Sequence, residues 1–132
     1  MIFGIGCDIV KIERFHSSCE NQDFIKRFFS TEEIKAQEKK GKSVLQKAEY
    51  YAGRFACKEA FSKALGTGVR NFDLADISVL NDELGKPEFH FSAELDSYIE
   101  KRCGKCKVHL SLSHEKEFAI AYVVIDSLGE EI

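Results

Sequence analysis

The segment Val44–Leu65 predicts one long helix, and an acid lies within the apolar side of that helix. At about 100° per residue, Ala48 and Ala52 share a stripe with Glu59. An unpaired carboxylate buried in that stripe would cost several kcal/mol. We therefore expect a cation beside Glu59, either the ammonium of Lys63 one turn later or a bound metal ion.

A second acid, Asp8, interrupts an apolar run near the N-terminus. Residues 2–10 are otherwise apolar or glycine, which predicts a buried strand. Two acids set into apolar elements far apart in sequence indicate a divalent-metal site. Mg²⁺ prefers hard oxygen ligands, takes one or two protein carboxylates, and fills its other positions with water and phosphate oxygens.

The composition predicts a single compact domain covering residues 1–132. A chain of 132 residues can bury a substantial core but is short for two domains. Its formal net charge of −3 does not favour a nucleic-acid partner, because phosphates repel an acidic protein. Any basic binding site is therefore expected to be local.

The cysteines indicate a reducing compartment. There are five of them, an odd number, and they lack paired metal-ligand spacing. Cys103-Gly-Lys-Cys106 has the CxxC form of a redox or half-zinc site, but no second CxxC accompanies it, so free thiols are favoured. The chain also lacks a signal-peptide pattern and any run of roughly 18 apolar residues. We expect a soluble cytoplasmic protein with no membrane partner.

Capping signals and hydrophobic periodicity predict an α+β domain. Ser30 with Glu33, and Ser43 with Gln46, have the spacing of a capping box, and a glycine at 66 can end the long helix. We expect helices to cover one face of a mainly antiparallel sheet, a final β-hairpin and a loose tail at 127–132. The predicted helices are 13–19, 23–29, 31–40, Val44–Leu65 and 93–102, and the predicted strands are 2–12, Ile77–Asn81, 88–91, 108–114 and 118–125.

The long helix also carries a basic cluster. Arg54, Lys58 and Ser62 are spaced four apart and line one face, next to the stripe that contains Glu59. Helical spacing alone favours a solvated basic face with an ion pair along the helix. Together with Asp8, the same residues suit a metal site whose neighbouring cations hold phosphate oxygens.

Other candidates carry weaker signals. Gly66 and Gly68 could let a phosphate or sugar lie against the backbone, but a helix C-terminus does not attract anions, so any affinity must come from side chains. His114 ends a strand whose outward face includes Ser111 and Ser113, and a lone histidine there is usually a surface residue. A Ser/His/Asp triad cannot be argued from sequence proximity.

Two basic residues near the N-terminus, Arg14 and Arg27, lie beside phenylalanines. They could recognise a partner, although an amphipathic short helix with its apolar side in the core explains the same pattern. Both interpretations stay open.

Four ordered motifs resemble the holo-[acyl-carrier-protein] synthase family over nearly the whole chain. They are GIGCDIV at 4–10, RFACKEAFSKALGTG at 54–68, the spacer NDELGKP at 81–87, and LSLSHE at 110–115. The resemblance implies the 4′-phosphopantetheinyl transferase fold, in which a mainly antiparallel sheet packs against a long central helix. It also implies homotrimers with active sites shared between neighbouring subunits.

The implied activity is transfer of 4′-phosphopantetheine from coenzyme A to a serine of apo acyl carrier protein, leaving adenosine 3′,5′-bisphosphate. Asp8 and Glu59 would ligate Mg²⁺ with the coenzyme A diphosphate, Glu59 is the candidate base, and Lys58 would add positive charge. Arg14 would dock the acidic carrier, and Arg27 adds local positive charge that would fit the same partner. The residues implied in coenzyme A binding are Arg54, Lys58, Ser62, Lys63, Gly66, Gly68, Ser113 and His114.

The sequence departs from the family pattern at two positions. Lys11 stands where relatives often carry an acid, and Cys57 replaces a more usual small apolar residue, but neither removes an implied ligand. Two rival functions also fit a metal and nucleotide site. One is a non-catalytic coenzyme A-binding module, and the other is a metal-dependent phosphohydrolase.

Overall fold

The computed structural model describes residues 1–41 and 43–129. One strand is followed by three helices, a pair of strands, a fourth helix and a final pair of strands, and short 3-10 turns lie at Ile12–Phe15, Ser18–Glu20 and Leu74–Asp76. The helices are α1 (Gln22–Phe28), α2 (Thr31–Glu38), α3 (Val44–Leu65) and α4 (Ala93–Cys103). The strands are β1 (Ile2–Lys11), β2 (Ile77–Asn81), β3 (Pro87–Phe91), β4 (Cys106–His114) and β5 (Phe118–Ser127).

The strands form two antiparallel sheets. One has the order β1-β5-β4, and the other pairs β2 with β3. The long helix α3 packs across the three-stranded sheet, and its buried residues, such as Ala56, Ala60 and Phe61, have no exposed surface. This arrangement confirms the predicted α+β fold class with an antiparallel sheet against a long helix. None of the helices in the described ranges combines the length and apolarity that crossing a bilayer requires.

Local capping fixes the bounds of α3, as predicted. The Ser43 hydroxyl accepts a hydrogen bond from the Gln46 amide at 3.1 Å. At the other end Gly66 adopts a φ of 85°, a left-handed conformation that costs little only for glycine. The capping box predicted for α2 is also present, with Ser30 and Glu33 bonded to each other's backbone amides.

Several predicted boundaries are wrong by a few residues, as expected where side-chain pattern alone sets them. The helix predicted at 13–19 is replaced by two 3-10 turns, and α2 ends at Glu38. The hairpin strands are longer than predicted, because Ser127 still belongs to β5 and its amide donates to the Met1 carbonyl at 2.7 Å. The predicted loose tail therefore begins later, and its residues 130–132 lie outside the described residues.

The first strand, predicted to be buried, is buried on one face only. Gly6 and Val10 point towards α3 and are buried, whereas Ile5 and Ile9 are 70% and 59% exposed. Tyr122 of the neighbouring β5 is also more than half exposed. The cause is architectural, since α3 covers one side of this antiparallel sheet and leaves the other side open.

Two glycines allow β1 to cross directly against α3. A Cβ atom on Gly4 would overlap the carbonyl oxygen of Ala64, and one on Gly6 would overlap that of Ala60. Side chains alternate along a strand, so the next residue on this face after Gly6 is Asp8. The glycines therefore bring the Asp8 carboxylate to the surface of α3.

We predict that Gly6→Ala destabilises the fold by about 3 kcal/mol, because the added methyl meets backbone rather than a movable side chain. Gly53→Ala is the matched control, since its Cβ would meet Leu112 at an ordinary 3.4 Å and alanine favours a helix over glycine. Urea unfolding monitored by circular dichroism measures both. Equal stability of Gly6→Ala and the unsubstituted protein would contradict the close crossing.

Candidate active site

The crossing of β1 over α3 brings together three predicted site residues. Lys63 on α3 donates from Nζ to Asp8 Oδ1 at 3.1 Å and to the Cys7 carbonyl oxygen at 3.0 Å. Glu59 lies one turn before Lys63 and is half-buried. Burial raises the pKa of Glu59, the nearby Asp8 charge raises it further, and the charges of Lys63 and Arg14 oppose the rise. Asp8 and Glu59 therefore form one electrostatically coupled acid pair.

The ion pair expected between Lys63 and Glu59 is not the one that the structure contains. Lys63 forms its ion pair with Asp8, and no pair between Lys63 and Glu59 occurs in residues 1–41 and 43–129. Glu59 is also less buried than its position in the apolar stripe predicted. Glu59 lies at the rim of the crossing, and the Lys63 ammonium bonds to the Asp8 carboxylate of β1 instead.

The chemistry of this acid pair fits a hard divalent cation. Carboxylate oxygens are the ligands that Mg²⁺ prefers, and one or two protein carboxylates are usual. Nowhere in the described part of the chain do three His, Cys, Asp or Glu side chains converge into a metal cluster. An ion held by Asp8 and Glu59 would therefore need further oxygens from water or from a bound phosphate.

We predict that Asp8→Asn lowers the pKa of Glu59, because it removes a like charge that raises that pKa. Lys63→Met should raise the same pKa, because it removes an opposing positive charge. Carbon-detected NMR titration of the Glu59 carboxyl group measures both shifts. An unchanged Glu59 pKa in Asp8→Asn would show that the two acids are not neighbours.

Lys58 lies in the interior, which corrects its predicted place on a ligand-binding basic face. Its side chain has no exposed surface, and Nζ pairs with Glu33 Oε1 at 2.6 Å. The same ammonium donates to the carbonyl oxygens of Phe28, Leu74 and Ile77 at 2.8–2.9 Å. Burial lowers the pKa of Lys58, and the Glu33 carboxylate opposes that shift. This ammonium is fully occupied within the protein and has no hydrogen left for a ligand.

Ser62 is likewise internal, since it is 1% exposed and its hydroxyl donates to the Lys58 carbonyl oxygen at 2.9 Å. The side of α3 that carries Lys58 and Ser62 is covered by α1, α2 and β2, so the solvated-face interpretation is also wrong. Glu33, the partner of Lys58, was predicted only as a helix cap. It does cap α2, and nothing in the sequence distinguishes a cap that also forms a buried ion pair.

We predict that Lys58→Met destabilises the fold by about 4 kcal/mol, because it leaves Glu33 as an uncompensated buried charge. The double variant Lys58→Met with Glu33→Gln should cost less than the sum of the two single variants. Lys47→Met is the control, since its pair with Glu20 is partly exposed and is worth less than about 1 kcal/mol. Additive losses in urea unfolding would contradict a coupled buried pair.

A second polar cluster surrounds Tyr50. The Arg54 guanidinium lies 4.1 Å from the Tyr50 ring centroid and the Lys40 ammonium 5.9 Å from it. Lys40, Tyr50, Arg54 and His114 line one cavity of about 350 Å³, together with Glu49. Burial and the neighbouring Arg54 charge lower the pKa of Lys40.

This cavity is suited to an anion. Within the described ranges, neither Arg54 nor Lys40 forms an ion pair. The Arg54 guanidinium is instead oriented by the Val79 carbonyl oxygen at 3.4 Å and the Asn81 side-chain oxygen at 3.1 Å. The sequence analysis did not identify Lys40 or Tyr50 as site residues. Both line the cavity only because the end of α2, the start of α3 and the end of β4 meet there.

The two polar clusters lie on different sides of α3. Arg54 is about 140° and Tyr50 about 180° around the helix from Glu59. The sequence analysis placed Arg54 next to the stripe of Glu59, but in the structure its guanidinium bonds to Val79 and Asn81 of β2 and lies away from the crossing with β1. One chain therefore presents an acid pair on one side of its central helix and a basic cavity on the other.

The remaining predicted residues are on the surface. Gly68 adopts a φ of 63° with open space where a Cβ would lie, one turn beyond Lys63. Arg14 lies over the Phe55 ring at 6.0 Å and Arg27 over the Phe28 ring at 5.2 Å. Gly66 closes α3, and Ser113 is exposed on β4 beside His114.

Comparison with known proteins agrees with this architecture. The family model of the 4′-phosphopantetheinyl transferase superfamily matches residues 4–123. A holo-[acyl-carrier-protein] synthase from Pelagibacter ubique is 45% identical over 127 residues, which covers 94% of this chain and 96% of the relative. The corresponding protein from Clostridium tetani is 46% identical, with 96% of this chain and 97% of the relative covered.

Solved structures show the same likeness. The crystal structure of the synthase from Neisseria meningitidis superposes with a TM-score of 0.85 at 39% identity, covering 96% of this chain and 99% of that one. The synthase from Bacillus anthracis, solved in complex with CoA (3′,5′-ADP), gives a TM-score of 0.79 at 38% identity over 96% of this chain and 98% of that one. The chain belongs to the 4′-phosphopantetheinyl transferase superfamily, as an enzyme of the holo-[acyl-carrier-protein] synthase group.

Proposed function

We propose that this single-domain enzyme transfers the 4′-phosphopantetheine group of coenzyme A to a serine of apo acyl carrier protein and releases adenosine 3′,5′-bisphosphate. The observation that carries the proposal is the meeting of Asp8, Glu59 and Lys63 where β1 crosses α3. The solved relative from Bacillus anthracis binds coenzyme A, and so does the one from Helicobacter pylori. Two acids and one lysine suit a diphosphate that is bridged by a cation.

Asp8 and Glu59 would hold Mg²⁺ through their carboxylate oxygens. When bound, the ion supplies Lewis-acid stabilisation of the charge that develops on the diphosphate. Lys63 is 56% exposed, so its ammonium can reach a phosphate oxygen as well as Asp8. The open space beside Gly68 leaves the backbone accessible to the same ligand.

The attacking hydroxyl belongs to the carrier serine, so the enzyme needs a proton acceptor and no nucleophile of its own. Glu59 is the candidate from its position beside the cation that it would hold, where it could take the proton directly or through a water molecule. Arg14 acts on Glu59 electrostatically and, with Arg27, presents positive charge to an acidic carrier. Such surface charges speed encounter in a salt-dependent way.

The basic cavity would bind other phosphate groups of coenzyme A through Arg54, Lys40 and His114. Because this cavity and the acid pair lie on different sides of α3, we propose that they belong to neighbouring active sites in a homotrimer. The apolar outer face of the three-stranded sheet supports an assembly, since Ile5, Ile9 and Tyr122 are all more than half exposed. We place the enzyme in the cytoplasm, because all five of its cysteines are free thiols and free thiols are typical of a reducing compartment.

We predict that incubation with coenzyme A, Mg²⁺ and apo carrier adds the mass of one phosphopantetheine arm to the carrier. Asp8→Asn and Glu59→Gln should each slow this transfer about a hundredfold or more while the variants stay folded. Glu88→Gln, at an exposed acid on β3, is the control and should react normally. Mass spectrometry of the carrier measures the transfer.

The same reaction separates the rival functions. A phosphohydrolase would consume coenzyme A without loading the carrier, and a non-catalytic binding module would leave both unchanged. Either result, or full activity of Asp8→Asn or Glu59→Gln, would overturn the proposal.

We predict that inactive variants complement each other when the two clusters come from different subunits. Co-expressed Glu59→Gln and Arg54→Met should regain part of the transfer activity, because some mixed trimers then contain a site with both residues intact. Asp8→Asn co-expressed with Glu59→Gln is the matched control and should stay inactive, since both residues belong to one acid pair. Absence of recovery in the first mixture would contradict shared sites.

A further inference from the structure

Two cysteines flank the junction between α4 and β4. Cys103 is the last residue of α4, and Cys106 is the first residue of β4. Between them Gly104 adopts a φ of 70°, a positive value that glycine allows without strain and that turns the chain sharply. The turn thus brings together the two thiols of the CxxC motif, which the proposed function does not use.

Hydrogen bonds hold this turn in place. The Ser127 hydroxyl donates to the Cys103 carbonyl oxygen at 3.4 Å, and the Leu128 amide donates to the Lys105 carbonyl oxygen at 2.9 Å. Cys106 pairs with Ser127 in the register of β4 and β5. The thiols therefore sit on a fixed backbone and not on a mobile loop.

The two thiols are neighbours on this turn and differ in accessibility. Cys103 is 7% exposed, whereas Cys106 is half-buried and lines a surface cavity beside Phe89 and Leu128. Burial raises the pKa of both thiols, that of Cys103 to about 11, and the Asp96 charge raises that of Cys106 further, while the neighbouring Cys103 opposes the rise at Cys106. Cys106 is the more reactive of the two.

The pair suits sulfur chemistry better than metal binding. A structural zinc ion needs four ligands, typically cysteine and histidine. Throughout residues 1–41 and 43–129, no third His, Cys, Asp or Glu joins this pair in a metal-ligand cluster. Two adjacent thiols on a rigid turn are, by contrast, sufficient for a disulfide.

We propose that Cys103 and Cys106 form a reversible redox site that reacts with a low-molecular-weight disulfide such as glutathione disulfide. The Cys106 thiolate attacks one sulfur of glutathione disulfide, forms a mixed disulfide and releases one glutathione thiolate. Cys103 then loses its proton to solvent and attacks the Cys106 sulfur, which forms the intrachain disulfide and releases the second glutathione. The protein dithiol is oxidised by two electrons, and glutathione disulfide is reduced to two thiols.

This site stands apart from the proposed active site. Asp8 pairs with Ala121 in the sheet, and Cys106 pairs with Ser127. Six residues of extended β5 separate these two positions, a distance of about 20 Å. The redox proposal therefore does not depend on the transferase proposal, and its test needs no activity measurement.

The test is incubation of the purified, reduced protein with glutathione disulfide at about pH 8.5, where more thiolate is present, followed by peptide mass spectrometry. The peptide that contains Cys103 and Cys106 should lose the mass of two hydrogen atoms and retain no glutathione. Dithiothreitol should restore its original mass. Formation of the disulfide should slow as the pH is lowered, because the attacking group is the thiolate.

Cys103→Ser is the matched control. It keeps the attacking Cys106 and removes the residue that resolves the mixed disulfide, so its peptide should gain the mass of one glutathionyl group. Three results would overturn the proposal: no reaction at Cys106, retained glutathione on Cys106 in the unsubstituted protein, or a disulfide that joins Cys106 to a cysteine other than Cys103.

Discussion

The close crossing of β1 over α3 is the constraint on which the rest of the structure depends. Gly4 and Gly6 allow the strand to touch the helix backbone at Ala64 and Ala60, and any larger side chain there would separate the two elements. The crossing both packs the sheet against α3 and positions a candidate site residue. It buries one side of the sheet, and it carries Asp8 to the position where Lys63 pairs with it and Glu59 is affected by its charge.

A buried ion pair stabilises the opposite side of the same helix. Lys58 joins α3 to α2 through Glu33, and to the segment before β2 through backbone carbonyl oxygens. Glu33 also accepts a hydrogen bond from the Val79 amide, and the Val79 carbonyl oxygen helps to orient Arg54. Lys58, predicted to bind phosphate, instead holds β2 against α3 through these hydrogen bonds. It therefore shapes the basic cavity indirectly.

Local features of the fold could be predicted from the sequence, and non-local ones, apart from the acid pair, could not. The bounds of α3 follow from Ser43 and Gly66, because caps act within a few residues. The acid pair was also predicted, because a carboxylate in an apolar element requires a partner. The burial of Lys58 was missed, since it depends on contacts with residues 16 to 30 positions away. The exposed face of β1 was missed because an apolar run does not reveal whether one or both sides of a strand are covered.

The central claim is that Asp8 and Glu59 hold one divalent ion against a diphosphate. The most direct measurement is an anomalous difference map from crystals grown with coenzyme A and Mn²⁺, a metal with hard-ligand preferences close to those of Mg²⁺. The account predicts one strong peak between the two carboxylates, with diphosphate oxygens completing its coordination. Bound coenzyme A without a metal peak between these carboxylates, or with the peak at another position, would contradict it.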